Sequence, residues 1–352
     1  MEIGEVLAHY FSISSFKIKR FPLGLINETY QIFLGGKSYV LQRMNPIFGT
    51  EVIQDLSEVA KHLEKSGIIW QSPIVTREGE LWVTGKKGSV WRLMNFVPGV
   101  SYEKILDRNM AHEAGRILGR FHSAMSNFDY QFQNPRPPAH QSEKVFSGFC
   151  EYLEKVNCNE RKELEQWIYA VRKMPEYFLT GELKETVVHG DPKTANIIFT
   201  EQSKEKNRTA VAMIDLDGSM RNKVLVELGD AFRSWCSDEE DEPANRFDMD
   251  KFKSALIGYL DGSHGDFLTR EEVRLLPRAI KLITLELASR FLKDYFEDRY
   301  FGWNGQKYSN RKEHNLARIK GQVSLFFDLC EKEKEVDQFL SEVGIQSCVA
   351  SW

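Results

Sequence analysis

Residues 189–196 read His-Gly-Asp-Pro-Lys-Thr-Ala-Asn, and residues 214–217 read Ile-Asp-Leu-Asp. Moving a phosphoryl group to a hydroxyl requires a carboxylate that accepts or orients the attacking proton. It also requires hard oxygen ligands for one or two divalent ions that bridge the phosphates. Asp191 precedes Asn196 by the interval that phosphoryl-transfer loops place between base and metal-binding Asn. Asp215 follows on the next strand of a hairpin, so the turn is expected to return it beside Asn196. Lys193 lies between them, where an ammonium meets a transferring phosphate. Taken singly, each string is an ordinary loop, since Asp and Asn are common turn residues; the order, the spacing and the hairpin together carry the reading. His189 has no His or Cys at zinc-ligand spacing and is expected to hold the loop by local hydrogen bonds.

The elements that must position these groups fall into two regions. In the first hundred residues the period-2 runs Phe16–Arg20, Thr29–Leu34 and Ser38–Arg43 predict strands, with a turn at Gly35-Gly36-Lys37. Val52, Leu56, Val59 and Leu63 recur at helical spacing over 51–66, and Leu81–Thr84 and Ser89–Phe96 read as two more strands. Val97-Pro98-Gly99 then breaks the pattern and is the expected domain boundary. Beyond it the periodicity predicts helices over 111–126, 251–260, 271–295 and 315–343, interrupted by the polar hairpin with a charged tip at 201–208.

The whole chain has 352 residues, 42% hydrophobic and 28% charged, with a net charge of −4. This is globular composition without the electrostatic footprint of a nucleic-acid or membrane-surface binder. No run approaches the ~18 apolar residues of a membrane span, and Glu2 and Glu5 stand where a signal peptide would be basic. Five scattered cysteines without ligand spacing suit a reduced cytoplasm.

The string VVHGDPKTANIIF followed by VAMIDLD resembles the catalytic loop and metal motif of the aminoglycoside phosphotransferase and choline kinase superfamily. The resemblance extends to FVPG at 96–99, GRILGRFH at 115–122 and ELGDAFR at 227–233. It implies an α+β, protein-kinase-like, two-lobed fold: a small β-rich nucleotide-binding lobe, residues 1–97, and a larger, mainly helical catalytic and substrate-binding lobe, residues 98–352. By that resemblance Asp191 is the base, Lys193 assists it, Asn196 and Asp215 bind Mg²⁺, and Asp217 supports a second ion. ATP would lie between the lobes, its adenine against the backbone around Met94–Phe96. The turn over the phosphates reads Pro22 to Thr29, with one glycine, Gly24, and with Asn27 and Thr29 as further candidates. Where a phosphate-pairing Lys is usual, the third strand offers Arg43, with Asp55 or Glu58 as its acidic partner.

Within the superfamily, the segments GLINETYQI, SYVLQRMNPIF, IDLDGSM and SRFLKDYFEDRYF look most like the N-acetylhexosamine 1-kinase group. That resemblance implies sugar contacts from Arg290 and Tyr300, with Asp294 and His314 as weaker candidates, and phosphorylation at the anomeric hydroxyl. A rival reading takes the acidic block Asp238–Glu242 as a cradle for an aminoglycoside polycation. Another takes Trp235, Trp303, Tyr295 and Tyr308 as a choline cage, or homoserine as the acceptor. A non-catalytic kinase-like scaffold is the non-enzyme alternative, disfavoured because Asp191, Asn196 and Asp215 are all present. The expected partners are a small-molecule acceptor and ATP, with no nucleic acid or membrane, in a monomer or homodimer.

Overall fold

The computed structural model describes residues 2–12, 15–21, 27–134, 140–200, 208–265 and 267–346. A short helix, α1 (Glu2–Tyr10), is followed by strands β1 (Lys17–Arg20), β2 (Glu28–Leu34) and β3 (Lys37–Arg43) and by helix α2 (Glu51–Glu64). Strands β4 (Pro73–Ile74), β5 (Val83–Thr84) and β6 (Val90–Asn95) complete an antiparallel sheet, ordered β1-β2-β3-β6-β4 with β5 also on β6. Strand alternation sorts its two faces. Leu41 and Arg43 share a face with Ile32, Trp91 and Leu93, which α1 covers through Val6, Leu7 and Tyr10. Val40, Gln42, Arg92 and Met94 fall on the other face, toward Leu56 and Val59 of α2. The sequence pattern did not reveal α1, because nine residues are too few for periodicity to decide. Such a helix is held by packing, and each fully buried side chain contributes roughly 1.5–3 kcal/mol.

Past the Val97-Pro98-Gly99 breaker, β7 (Val100–Ser101) leads to α3 (Arg108–Met125), α4 (Ser142–Lys155), α5 (Cys158–Glu163) and α6 (Glu165–Val171). Four short strands follow, β8 (Glu185–Val188), β9 (Ile197–Phe199), β10 (Ala210–Met213) and β11 (Met220–Lys223). The remainder is helical: α7 (Val224–Trp235), α8 (Met249–Gly262), α9 (Arg270–Glu297), α10 (Arg311–Glu331) and α11 (Glu333–Gln346). The single helix expected over 315–343 is two. At the break Lys332 donates to Phe247 O and Asp328, and Glu333 reaches the buried Lys281 of α9 at 2.6 Å. The charged hairpin tip, residues 201–207, lies outside the described residues. No described helix is long and apolar enough to cross a membrane.

The GRILGRFH segment owes its glycines to a helix crossing. Gly115 and Gly119 of α3 face Gly258 and Gly262 of α8, and a Cβ on Gly115 would sit 1.9 Å from Ala255 O. Only bare backbone admits that approach. The crossing brings His122, at the end of α3, against Tyr259 of α8.

Candidate active site

Two ladders define the polar centre. β8 pairs with β11 so that Val188 faces Met220, and β9 pairs with β10 so that Ile197 faces Met213. The loop 189–196 leaves β8 and enters β9, and the loop 214–219 leaves β10 and enters β11, so both loops are pinned at both ends beside each other. Gly190 (φ 86°) packs backbone on backbone with Gly218, whose carbonyl oxygen would lie 2.3 Å from an added Cβ. Ile214 N donates to Asn196 O at 2.8 Å, which fixes the entry to Asp215 beside Asn196.

The structure brings Asp191, Lys193, Asn196 and Asp215 together. Asp191 is 41% exposed at its side chain, and its Oδ2 accepts from Lys193 Nζ (2.5 Å) and Asn196 Nδ2 (3.2 Å). Among the described residues no hydrogen bond is formed to Asp191 Oδ1, the oxygen free to meet an incoming hydroxyl. Burial opposes the Lys193 charge, but Asp191 and Asp215 outweigh it and hold the ammonium protonated above its ordinary range. Asn196 uses its Nδ2 on Asp191, also bonding Asp191 O at 2.9 Å, and its Oδ1 forms no hydrogen bond among the described residues. Burial first, then the charges of Asp217 and Asp191, push the Asp215 carboxyl up to about 6. The Asp215 carboxylate and the Asn196 amide are hard oxygen donors, the donor type that fits a divalent cation. Among the described residues no group of three or more His, Cys, Asp or Glu forms a metal cage.

Sequence reasoning missed the groups that hold the loop. Glu227 of α7, fully buried, accepts from Gly190 N (2.6 Å), His189 N (3.0 Å) and His122 Nε2 (2.6 Å). Burial alone would raise its carboxyl, yet the His122 bond and the Gly190 amide hold it below the usual range. His122 Nδ1 meets Tyr259 Oη at 2.9 Å, and a Tyr259 O–H donating there satisfies both ring nitrogens. His189 behaves as expected of a loop brace: Nε2 reaches Ile214 O at 2.9 Å and Nδ1 accepts from Asp191 N at 3.3 Å. Burial lowers its pKa, which suits a neutral ring with one donor and one acceptor. Trp235 Nε1 donates to Pro192 O at 2.7 Å. The ELGDAFR string carried the signal for Glu227, but nothing local says which backbone its carboxylate caps.

The small-lobe expectations need correction. Arg43 lies on the sheet face opposite Arg92, pairs with Glu28 at 3.1 Å, and meets neither Asp55 nor Glu58. Asp55 instead accepts from Tyr130 Oη and the backbone of Gln133 and Asn134, each at 2.9 Å, and Glu58 pairs with Lys61. The cation on the site face is Arg92, one strand over. Its Nη1 and Nη2 take both oxygens of Asp217 at 2.6 and 2.8 Å, so Asp217, expected to support a second ion, is engaged by an arginine. Asn27 Oδ1 accepts from Asn45 N, and Thr29 Oγ1 from Gln42 Nε2, so both brace the start of β2. Met94 is buried, with its backbone in the ladder between β3 and β4, and Phe96 is the first residue past β6. Gly24 lies outside the described residues.

The remaining candidate substrate residues are basic, acidic and aromatic, and several are already matched. Glu239 lies 3.5 Å from Lys104, Asp241 3.0 Å from Lys307 and Glu240 3.3 Å from Arg318, so three of the five acidic residues at 238–242 have a basic partner. Trp235 is buried under Pro192, Tyr308 stacks on His314, Tyr295 packs edge-on against Phe296 and Trp303 is exposed, and among the described residues no ring contact joins any two of these four. Asp294 accepts from the backbone of Arg299, Tyr300 and Phe301 and from Asn315 Nδ2, and is closed to a substrate. His314 Nδ1 takes Asn304 N, and burial lowers its pKa to about 4. Arg290 lies over the rings of Tyr300 and Phe301, 6.0 and 5.7 Å from their centroids, and forms no salt bridge among the described residues. Tyr300 is 70% exposed and not a core residue.

Between Arg290 and Lys193 lies a buried cluster. His140 stands 3.5 Å from Asp230 of α7 and 3.0 Å from Glu286 of α9, and Arg233 takes the other side of Asp230 at 2.8 Å. Burial opposes the imidazolium, but Asp230 and Glu286 outweigh it and raise its pKa to about 10. A His raised above its unfolded value stabilises fully below pH 6.5, and this contribution disappears as pH rises through about 10. The urea midpoint of His140→Gln is therefore expected to fall well below wild type at pH 6. By pH 10.5 the two should converge, and a gap independent of pH would refute the charge assignment.

The fold and the loop pair define a phosphotransferase. The phosphotransferase enzyme family (APH) matches residues 17–259, more than half of the chain, and the chain belongs to that family, whose members phosphorylate alcohol groups. Among solved structures it is similar to a microcompartment-associated aminopropanol kinase (17% identity, 96% of each chain covered, TM-score 0.65). It is also similar to the amicoumacin kinase hAmiN in complex with AMP-PNP, Ca²⁺ and Ami (14%, 90% of each chain, TM-score 0.59). A third is choline kinase from Cryptosporidium parvum Iowa II (12%, 98% of each chain, TM-score 0.57). At these identities the likeness is one of fold.

Proposed function

We propose that this protein transfers the γ-phosphate of ATP, with Mg²⁺, to a hydroxyl of a small sugar of the N-acetylhexosamine type, at the anomeric position. The reading places ATP against the lobe of residues 1–97 and the acceptor in residues 98–352. The observation that carries it is Arg290. Its guanidinium lies over Tyr300 and Phe301 and forms no salt bridge among the described residues, while Glu239, Glu240 and Asp241 of the acidic block already have cations. Planar donors beside aromatic faces suit a neutral, hydroxyl-rich acceptor.

Asp191 Oδ1 orients the acceptor hydroxyl and takes its proton as the bond from the acceptor oxygen to the γ-phosphorus forms and the bond from that phosphorus to the β,γ-bridging oxygen breaks, releasing ADP. Lys193, held by Asp191 Oδ2, places its ammonium against the charge of the transferring group. Asn196 Oδ1 and Asp215 would hold the divalent ion, which supplies neutralisation of the phosphates when bound. An anomeric hydroxyl is more acidic than other sugar hydroxyls, so an ordinary carboxylate suffices and positioning does most of the work.

The test is ATP consumption against N-acetylhexosamines, aminoglycosides, homoserine and choline. Turnover is expected with a hexosamine, and Arg290→Leu is expected to raise its KM about 10–100-fold, the loss of charged hydrogen bonds, at unchanged KM for ATP. Turnover confined to kanamycin-like amines or to choline would discard the sugar.

A further inference from the structure

A line of polar side chains joins the small sheet to the loop that carries Asp215. Thr29 Oγ1 on β2 accepts from Gln42 Nε2 of β3 at 3.2 Å. Gln42 Oε1 accepts from Arg92 Nε (2.9 Å) and Nη2 (2.6 Å) of β6. Arg92 then grips both oxygens of Asp217, which sits in the turn Leu216–Gly218 directly after Asp215. The Arg92 side chain is 1% exposed and that of Asp217 8%. A pair so desolvated is weak grounds for stability, because the cost of removing both charges from water offsets their attraction. What fork-to-fork geometry does supply is direction.

The element that needs direction is Asp215. Its backbone is left-handed, φ 66° and ψ 51°, a conformation that a residue with a Cβ keeps only where its surroundings hold it. On its N-terminal side Ile214 is tied twice, through its N–H to Asn196 O and through its carbonyl to His189. On its C-terminal side Asp217 is tied to Arg92, Gly218 packs against Gly190, and α2 packs on the same turn.

We infer that Arg92 is a positioning residue for the Asp215 carboxylate. Through Asp217 it anchors the turn 216–218 to the sheet and so aims Asp215 at the cation. Asp217 serves this ion pair and is not a ligand of a second ion. Taking Asp217 for a metal would leave the Arg92 guanidinium buried with Gln42 alone. The inference rests on the proposed nucleotide–metal site, but its first measurement does not need that site.

In metal-free full-length protein, urea midpoints of Arg92→Gln, Asp217→Asn and the double variant are compared. Each single change strands a buried charge, so both lower the midpoint, and the double variant is expected to lie above the lower single. Additive losses would overturn the pair as a unit whether or not the protein binds nucleotide. The second measurement is Mn²⁺ binding in the presence of AMP-PNP, followed by electron paramagnetic resonance. Asp217→Asn is expected to bind as many Mn²⁺ ions per nucleotide as wild type, with half-saturation raised about tenfold and a similar rise in Arg92→Gln. Loss of one ion in Asp217→Asn alone makes Asp217 a ligand and overturns the inference, as does an unchanged half-saturation. If Arg92→Gln does not fold, the near-isosteric Asp217→Asn decides the question by its ion count. Wild type that binds no Mn²⁺ with AMP-PNP would count against the proposed function, and the urea cycle would still judge the pair.

Discussion

Asp191→Asn is expected to cut kcat by about 10²–10⁴-fold, the range of a positioned acid–base group, while AMP-PNP binding changes by less than about twofold. The split follows from where the carboxylate sits. Its Oδ2 is engaged by Lys193 and Asn196, and its Oδ1 is open at a side chain 41% exposed, so it faces an acceptor rather than the fold. Asn keeps the shape and one acceptor oxygen but loses the charge that takes the proton and pairs with Lys193. Single-turnover phosphate transfer alongside equilibrium nucleotide binding checks both halves. A variant that keeps a tenth of wild-type kcat removes Asp191 as the base, and one that loses nucleotide affinity makes it part of the binding site.

The second large effect is expected at Glu227, which touches no reacting atom. Three donors converge on its two oxygens: Gly190 N, His189 N and His122 Nε2. Glu227→Ala strands them in a dry interior, and the unfolding free energy is expected to drop by about 3–5 kcal/mol, as for other broken buried charged networks. Gln is no remedy, because its amide nitrogen would face another donor. The kcat should fall with it, since Gly190 and His189 immediately precede Asp191. Because the Glu227 carboxyl is held below its ordinary 4.5, its contribution is complete above about pH 4.5 and is lost as pH falls through the lower folded value. Urea denaturation at pH 7 and pH 4, with kcat at pH 7, tests this. A Glu227→Ala protein within about 0.5 kcal/mol of wild type and fully active would show that the loop stands without it.

The catalytic loop was legible in the sequence because its chemistry is local. The interval from Asp191 to Asn196 and the hairpin that returns Asp215 are properties of one short stretch of chain, and the structure brings those residues together. The longer strands of the small sheet were legible for the same reason, as period 2 is visible within six residues, whereas the two-residue β4 was not. Helix α1 was not, since its nine residues owe their helicity to the sheet beneath them. The break at Lys332 was not, because each half keeps its periodicity and only contacts to Phe247 and Lys281 turn the chain.

Arg43 shows where the reading by residue type stops. An arginine at the end of the third strand had the right charge, but one step along a strand reverses the face, and Arg43 lies toward α1 with Glu28. Register, a matter of which strand lies beside which, gave the cation on the site face to Arg92, opposite Gln42. Asp217 likewise had the type of a metal ligand, and a residue 125 positions away took both its oxygens. By itself the sequence determined the class of chemistry, because the proposed base, amide and metal carboxylate are set by spacing along the chain. Only the tertiary structure decided which charges were already neutralised, since an ion pair depends on distance in space, and that is what separates a candidate ligand from a brace.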